Sequence, residues 1–214
     1  MIRKRDAQLV FQSMYCAIGI IGIIASTGFF EYEFTPNFLI YFTNLSNYFC
    51  IGVMLVALVQ TLKKKDDSYV TINPLVKLIG VMSLLLTAIV YNVMLAPTYE
   101  PIENFQPNSV ILHIILPIMF VIDWFLFYEP KKLKWFHPLL TIISPIGYVV
   151  FIYIRAAILG YDTKNHLLYP YFFLDIETQG IAGVVKWIVL LAIAFVVMSY
   201  IFFGLDRIRA KKEK

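Results

Sequence analysis

The 214-residue chain is 60% hydrophobic and 15% charged, whereas about 25% of residues are charged in a typical soluble protein. This composition excludes an ordinary soluble domain and indicates a chain embedded in a lipid bilayer. The net charge of +4 does not predict a nucleic-acid partner, because the basic residues fall in short clusters between apolar stretches. Both cysteines, Cys16 and Cys50, lie inside those stretches and are interpreted as packing residues.

Six apolar stretches follow one another along the chain. Each is long enough to cross roughly 30 Å of hydrocarbon as a helix that rises about 1.5 Å per residue. The predicted spans are residues 8–30, 36–62, 74–96, 107–128, 136–159 and 180–204. The links between them are too short to fold alone, so we expect one all-α domain over residues 1–214, a bundle of six transmembrane helices.

The basic residues predict the orientation of this bundle. They cluster at Arg3 to Arg5, Lys63 to Lys65, Lys131 to Lys134 and Arg207 to Lys214. Six spans place all four clusters on one side of the membrane, and the links on the other side contain only Lys164. Lys and Arg accumulate on the cytoplasmic side of membrane proteins. We therefore expect both termini of this integral membrane protein to be cytoplasmic.

The outer links differ in length and composition. Residues 31–35 are few, so the first two helices should form a tight hairpin. Residues 97–106 are acidic and proline-rich. The longest link, residues 160–179, contains the aromatic segment Tyr169–Asp175. Aromatic residues favour the membrane interface or a protein interior over water, so this segment is expected to fold back over the bundle or to lie in the interface.

Polar residues inside the spans are costly in hydrocarbon and should face the bundle interior. Thr43 lies about 10 Å from the outer end of the second span and His113 about 9 Å from that of the fourth, at about 1.5 Å per residue. Asn92, Arg155 and Lys186 fall in the same outer layer of three further spans. Five polar groups at one depth predict a buried polar cavity that opens outward.

Each of these residues also has a simpler interpretation. Ser46 and Asn47 share a helical face with Thr43, and hydrogen bonding between helices is the preferred interpretation of the first two. For Thr43 and His113 a structural role and a catalytic role remain equally open. Arg155 and Lys186 either extend their charged ends to the outer surface or bind an anionic headgroup such as a fatty-acid carboxylate.

Familiar catalytic signatures are missing from the sequence, including the zinc motif H-E-x-x-H, the nucleophile elbow G-x-S-x-G and the Walker loop. No metal or cofactor is expected. The remaining candidate for a catalytic arrangement is a hydroxyl nucleophile with a histidine base. The matched depth of Thr43 and His113 permits a contact between these two side chains. Pro117 has no N–H, so the carbonyl four residues earlier, that of His113, needs another donor. Asp123, in the inner half of the same span, is assigned a structural role.

Four motifs in order resemble the androgen-induced protein family of six-span membrane proteins, and especially its bacterial branch. They are Tyr41–Asn47, Leu112–Pro117 with the later Asp123, Ser144–Tyr148 and Tyr169–Asp175. Animal members of that family are intramembrane threonine hydrolases that cleave fatty-acid esters of hydroxy fatty acids. The resemblance implies a six-helix fold, a nucleophile at Thr43 and a catalytic histidine at His113. This chain departs from the animal members at Asn44, Ser46 and Asn47, which leaves its substrate open.

The combined expectation is an ester hydrolase acting on membrane lipids or fatty-acid esters. Arg155 or Lys186 would anchor a substrate carboxylate, and Asn47 or Asn92, with Ser46 as a further candidate, would stabilise the oxyanion. The main alternative is a non-catalytic lipid-binding or small-molecule transport protein that uses the same cavity. A structural or signalling bundle is a third possibility. The oligomeric state is not predicted.

Overall fold

The computed structural model describes residues 4–32, 36–100, 105–130, 132–159 and 167–212. The protein is 82% helical, and the described ranges contain no strand. Six helices are long and apolar enough to cross a membrane. The all-α six-helix bundle is therefore confirmed, and the chain is an integral membrane protein. Lys164 and the cluster ends Arg3, Lys131 and Lys214 lie outside the described residues.

The six helices follow the predicted spans closely. They are α1 (Lys4–Ser26), α2 (Phe42–Lys63), α3 (Pro74–Thr98), α4 (Pro107–Phe127), α5 (His137–Leu159) and α6 (Ile176–Lys212, with one non-helical residue at Gly180). α1 ends before the expected residue 30, because Gly28 takes a left-handed backbone conformation with φ of 78°. α6 continues past the expected residue 204, so its basic end is helical.

Three helices are irregular near their outer ends. The second span starts as a short 3-10 helix, Pro36–Ile40, and restarts as α2 after the extended residue Tyr41. Thr43 is therefore the second residue of an α-helix. α3 contains the π-helical segment Val90–Leu95, and α4 contains another, Ile111–Ile115. Such segments are rare and frequently lie at functional sites.

The first four helices share one core, and Phe195 and Phe202 of α6 also pack into it. Large fully buried side chains fill this core: Tyr15, Met54, Leu78, Met82, Leu116, Phe120 and Trp124. Gly80 permits the close approach of α3, because a Cβ there would lie 2.9 Å from the Phe120 ring. In the apolar windows of α5 and α6 only 11% and 17% of residues are buried, against 33% to 50% in α1 to α4. α5 and α6 therefore lie at the edge of the bundle, with most of their residues facing outward.

The start of α1 and the end of α6 lie at one end of the bundle, called here the inner end. Arg5 donates hydrogen bonds to the carbonyls of Thr61 and Leu62 near the C-terminus of α2, at 3.1 and 3.2 Å. The Arg209 guanidinium donates hydrogen bonds to three carbonyls at the end of α4. Cations at helix C-termini satisfy carbonyls that lack an N–H donor and complement the helix dipole. The basic clusters therefore also fasten the inner end of the bundle.

A buried ion pair joins α3 to α4 in the inner half of the bundle. Lys77 contacts the carboxylate of Asp123, and the two residues are 6% and 0% exposed. The ammonium of Lys77 also lies 4.9 Å from the centre of the Phe120 ring. Asp123 therefore has a partner on a neighbouring helix, which is the structural role assigned to it.

Breaking this ion pair should destabilise the protein. Lys77→Met leaves the Asp123 carboxylate buried without an ionic partner, which costs about 3–5 kcal/mol in comparable sites. The double variant Lys77→Met with Asp123→Leu should recover most of that loss, because both charges are then absent. Thermal unfolding of the purified proteins in detergent measures the loss of stability in the single variant and its recovery in the double variant. Equal unfolding temperatures for the wild type and Lys77→Met would contradict a stabilising pair.

The predicted orientation can be tested at two exposed positions, after Cys16 and Cys50 are replaced by alanine. Phe105→Cys lies in the outer link before α4 and Lys65→Cys in the inner link after α2. A membrane-impermeant maleimide added to intact cells should label Phe105→Cys and should label Lys65→Cys only after the cells are opened. The reverse pattern would invert the orientation and every depth estimate made from it.

Candidate active site

Thr43 and His113 meet in the outer half of the bundle. The Thr43 hydroxyl oxygen lies 3.2 Å from Nε2 of His113, within hydrogen-bond distance. Thr43 stands in the first turn of α2, and His113 stands in the π-helical segment of α4. Both residues are half-buried. The two helices thus bring together the residues that the depth estimate placed in one layer.

The imidazole of His113 is held in one orientation. Its Nδ1 lies 3.0 Å from the backbone carbonyl of Ser109. A carbonyl only accepts hydrogen bonds, so Nδ1 carries the hydrogen and Nε2 presents a lone pair to the Thr43 hydroxyl. The Tyr91 ring stacks on the imidazole with centroids 3.6 Å apart and an interplanar angle of 13°. His113 is therefore oriented as a hydrogen-bond acceptor, and so as a base, toward Thr43.

The His113 carbonyl finds a donor on α3. Pro117 supplies no N–H to it, and the Asn92 amide approaches it at 3.4 Å from the π-helical segment of α3. The same amide nitrogen donates to the Ala88 carbonyl at 2.8 Å. Asn92 therefore ties α3 to α4 behind the imidazole. Both N–H groups of its amide face backbone carbonyls, which is not the arrangement expected for an oxyanion donor.

Ser46 and Asn47 also hold helices together. The Asn47 amide nitrogen donates to the carbonyls of Thr43 and Leu112, at 2.8 and 3.2 Å. The Ser46 hydroxyl lies 2.9 Å from that of Thr87 on α3 and also bonds the Thr43 carbonyl. These contacts match the preferred interpretation of the two residues as links between helices. They fix the backbone of Thr43 rather than face a substrate.

The structure does not bring Arg155 or Lys186 to the Thr43–His113 pair. The Arg155 guanidinium donates to the carbonyls of Leu167 and Leu168, at 2.8 and 3.3 Å. It thereby fastens the start of the outer aromatic segment to α5. Lys186 is exposed on α6. Neither residue lines the cavity described below, because equal depth does not place side chains on the same side of their helices.

Tyr171, which the sequence did not single out, lies at Thr43. Residues 167–175 fold back over the bundle, and the Tyr171 ring is 7% exposed and stacks on Phe173. Burial raises the pKa of Tyr171 to about 12, because the phenolate loses its hydration. The Thr43 hydroxyl and the backbone N–H groups of Thr43 and Phe42 oppose that rise as hydrogen-bond partners of the phenol oxygen.

The start of α2 supplies further donors beside the Thr43 hydroxyl. The N–H groups of Asn44 and Leu45 both bond the Tyr41 carbonyl. Those of Phe42 and Thr43, the first two of the helix, bond no backbone carbonyl in the described part of the chain. Both act as hydrogen-bond donors toward the Tyr171 phenol oxygen, and the Phe42 N–H acts also toward that of Tyr148. Two backbone donors and the Tyr171 hydroxyl therefore lie beside the threonine hydroxyl.

An apolar cavity opens from Thr43 into the bundle. It contains about 740 Å³ of space, including its open part, between α2, α3, α5 and α6. Tyr171, Phe173 and Leu174 close its outer end, and it reaches inward to Ile142 and Phe195. From Ile188 to Phe195 the lining follows α6 for roughly 10 Å at 1.5 Å per residue. None of the described residues in the lining is charged, so the cavity suits an aliphatic chain.

Comparison with known proteins does not identify the chain: no family model, curated protein or solved structure matches it. The resemblance to the androgen-induced protein family therefore stays a prediction that depends on the four motifs.

Proposed function

We propose that the protein is an intramembrane threonine hydrolase of lipid esters. The observation that carries this proposal is the contact of 3.2 Å between the Thr43 hydroxyl and an imidazole whose other nitrogen is bound to the Ser109 carbonyl. A nucleophile, an oriented base and a third group that orients the base form the usual unit of nucleophilic catalysis. The apolar cavity beside Thr43 supports a fatty-acyl substrate.

The reaction would proceed in two steps. The Thr43 hydroxyl oxygen attacks the ester carbonyl carbon while Nε2 of His113 takes its proton. The tetrahedral intermediate expels the alcohol, which receives that proton, and leaves the acyl group on Thr43. A water molecule then attacks the acyl carbon, and His113 takes a proton from the water. Return of this proton to Thr43 releases the fatty acid and restores the pair.

The oxyanion would be stabilised at the start of α2. The N–H groups of Phe42 and Thr43 and the hydroxyl of Tyr171 converge beside the nucleophile. Donors placed where negative charge develops are often the largest single contribution to acyl-transfer catalysis. This set replaces Asn47 and Asn92 as our candidates, because its two N–H groups face side-chain hydroxyls, which a substrate oxygen can displace. The amide N–H groups of Asn47 and Asn92 are held by backbone carbonyls of the helices.

The cavity also narrows the class of substrate. Each buried methylene group contributes about 0.8 kcal/mol when it leaves water, so an uncharged apolar cavity selects a long aliphatic acyl chain. Such esters dissolve in membranes, and the pair lies at the depth where they reside. We propose membrane lipids or fatty-acid esters, including those of hydroxy fatty acids, as substrates. A bacterial plasma membrane is the proposed location.

A non-catalytic lipid-binding or transport protein would use the same cavity and is the second candidate. The size and apolar lining of the cavity favour it as much as they favour an enzyme. The oriented imidazole distinguishes the two, because lipid binding alone needs neither a base nor a nucleophile.

Loss of either member of the pair should abolish hydrolysis. Thr43→Ala removes the nucleophile and His113→Ala removes its base, and the double variant should be little worse than either, because the two act as one unit. Thr43→Ser should retain partial activity. The hydrolytic activity of each purified variant is measured as the release of fatty acid from a panel of lipid esters.

Thr27→Ala is a matched control, because Thr27 directly follows α1 and its hydroxyl bonds the Ile24 carbonyl in the last turn of that helix. It should keep wild-type activity. Wild-type hydrolysis by well-folded Thr43→Ala would refute the mechanism. Lipid binding without turnover in the wild type would favour the carrier.

Tyr171→Phe should lower kcat with little change in KM, because the phenol hydroxyl would act only on the charge of the transition state. Loss of one such donor costs about 10²- to 10³-fold in comparable enzymes. Tyr153→Phe is the control, since the Tyr153 hydroxyl bonds the Leu174 carbonyl in the same outer layer without touching Thr43. Equal losses in both variants would mean that Tyr171 only holds the outer segment in place.

A further inference from the structure

A second cavity lies on the other side of the Thr43–His113 pair. It is a groove between α3 and α4 with about 770 Å³ of space, including its open part. Its lining consists of Leu85, Ala88, Asn92, His113, Ile114, Pro117, Ile118, Val121 and Ile122. Each cavity is lined by one member of the pair. Thr43 lines only the first cavity, and His113 lines only the second.

The groove is long, uncharged and open to the side. Ile114, Ile118 and Ile122 follow one face of α4 at intervals of four residues, and they are 40%, 54% and 40% exposed. From His113 to Ile122 the groove follows the helix for roughly 13 Å at 1.5 Å per residue. Ala88 on α3 keeps it wide beside the imidazole. Its open side faces the hydrocarbon of the bilayer.

The proposed reaction assigns a different product to each cavity. After the attack, the acyl group is bonded to Thr43, so its chain belongs in the cavity that Thr43 lines. The leaving oxygen receives its proton from Nε2 of His113, so it must lie on the imidazole side of the ester. The alcohol chain attached to that oxygen then has an apolar path beside His113.

We propose that the groove between α3 and α4 is the binding site for the alcohol part of the ester and that this part is a long aliphatic chain. This inference rests on the proposed hydrolase function. A sugar or phosphate headgroup does not fit the lining, because none of the described residues that line the groove is charged and only Asn92 and His113 among them are polar. The open side lets the long-chain alcohol leave directly into the bilayer while the acyl chain stays on Thr43.

Two matched alanines allow a test. Ala88→Phe narrows the groove, and Ala192→Phe narrows the cavity beside Thr43. The substrates are the acetate ester of a long-chain alcohol and the ethyl ester of a long-chain fatty acid. We expect the ratio of kcat/KM for the first substrate over the second to fall by roughly tenfold or more in Ala88→Phe. The same ratio should rise in Ala192→Phe.

A second variant tests the groove independently, in case Ala88→Phe does not fold. Ile118→Trp enlarges a side chain that is 54% exposed, so it fills the groove without disturbing the core, and it should also lower the ratio. An unchanged ratio in Ala88→Phe and Ile118→Trp, while the wild type hydrolyses both esters, would refute the groove as the alcohol site and leave the hydrolase standing. No hydrolysis of either ester by the wild type would refute the hydrolase itself, and the alcohol site with it.

Discussion

Polar groups in hydrocarbon must find their partners inside the protein, because no water reaches them there. In the outer half of this bundle, the constraint acts on the backbone carbonyl of His113, which needs a hydrogen-bond donor from within the protein. Pro117 removes its helical donor, and Asn92 of α3 replaces it at 3.4 Å. That contact joins the two π-helical segments, and α4 then presents the imidazole to Thr43 on α2. Similar hydroxyl pairs, such as Ser83 with Ser144 at 2.8 Å, link the remaining helices.

The cavity lies where the helices at the edge of the bundle meet the helices of the core. α1 to α4 carry most of the large buried side chains and the pair of Lys77 with Asp123, and Thr43 and His113 stand on two of these helices. The proposed catalytic groups need such support, since small displacements lower rates strongly. α5 and α6 bury a smaller share of their residues and form one wall of the cavity.

The sequence predicted some parts of this arrangement and missed others for a physical reason. Depth follows from counting residues at a nearly constant rise, and it paired Thr43 with His113 correctly in space. Direction around the helix changes by about 100° per residue and shifts at each π segment or break, so Arg155 and Lys186 were placed at the right depth but not at the site. Tyr171 was missed because the path of a loop depends on contacts that no periodic pattern encodes. The aromatic segment around it indicated only that the loop returns to the bundle.

The depth of the pair also matches the needs of hydrolysis. In the proposed reaction an ester would arrive from the hydrocarbon side, whereas the water that cleaves the acyl-threonine would arrive from the aqueous side. A site about 10 Å below the outer end of its helices lies between the hydrocarbon and the water. Tyr171 and its aromatic neighbours cover the site, so the charge of the proposed intermediate would develop where few water molecules compete with the donors of α2. Hydrogen bonds to an oxyanion are strongest in such a setting, and this is why a hydrolase benefits from building its site inside a membrane rather than on its surface.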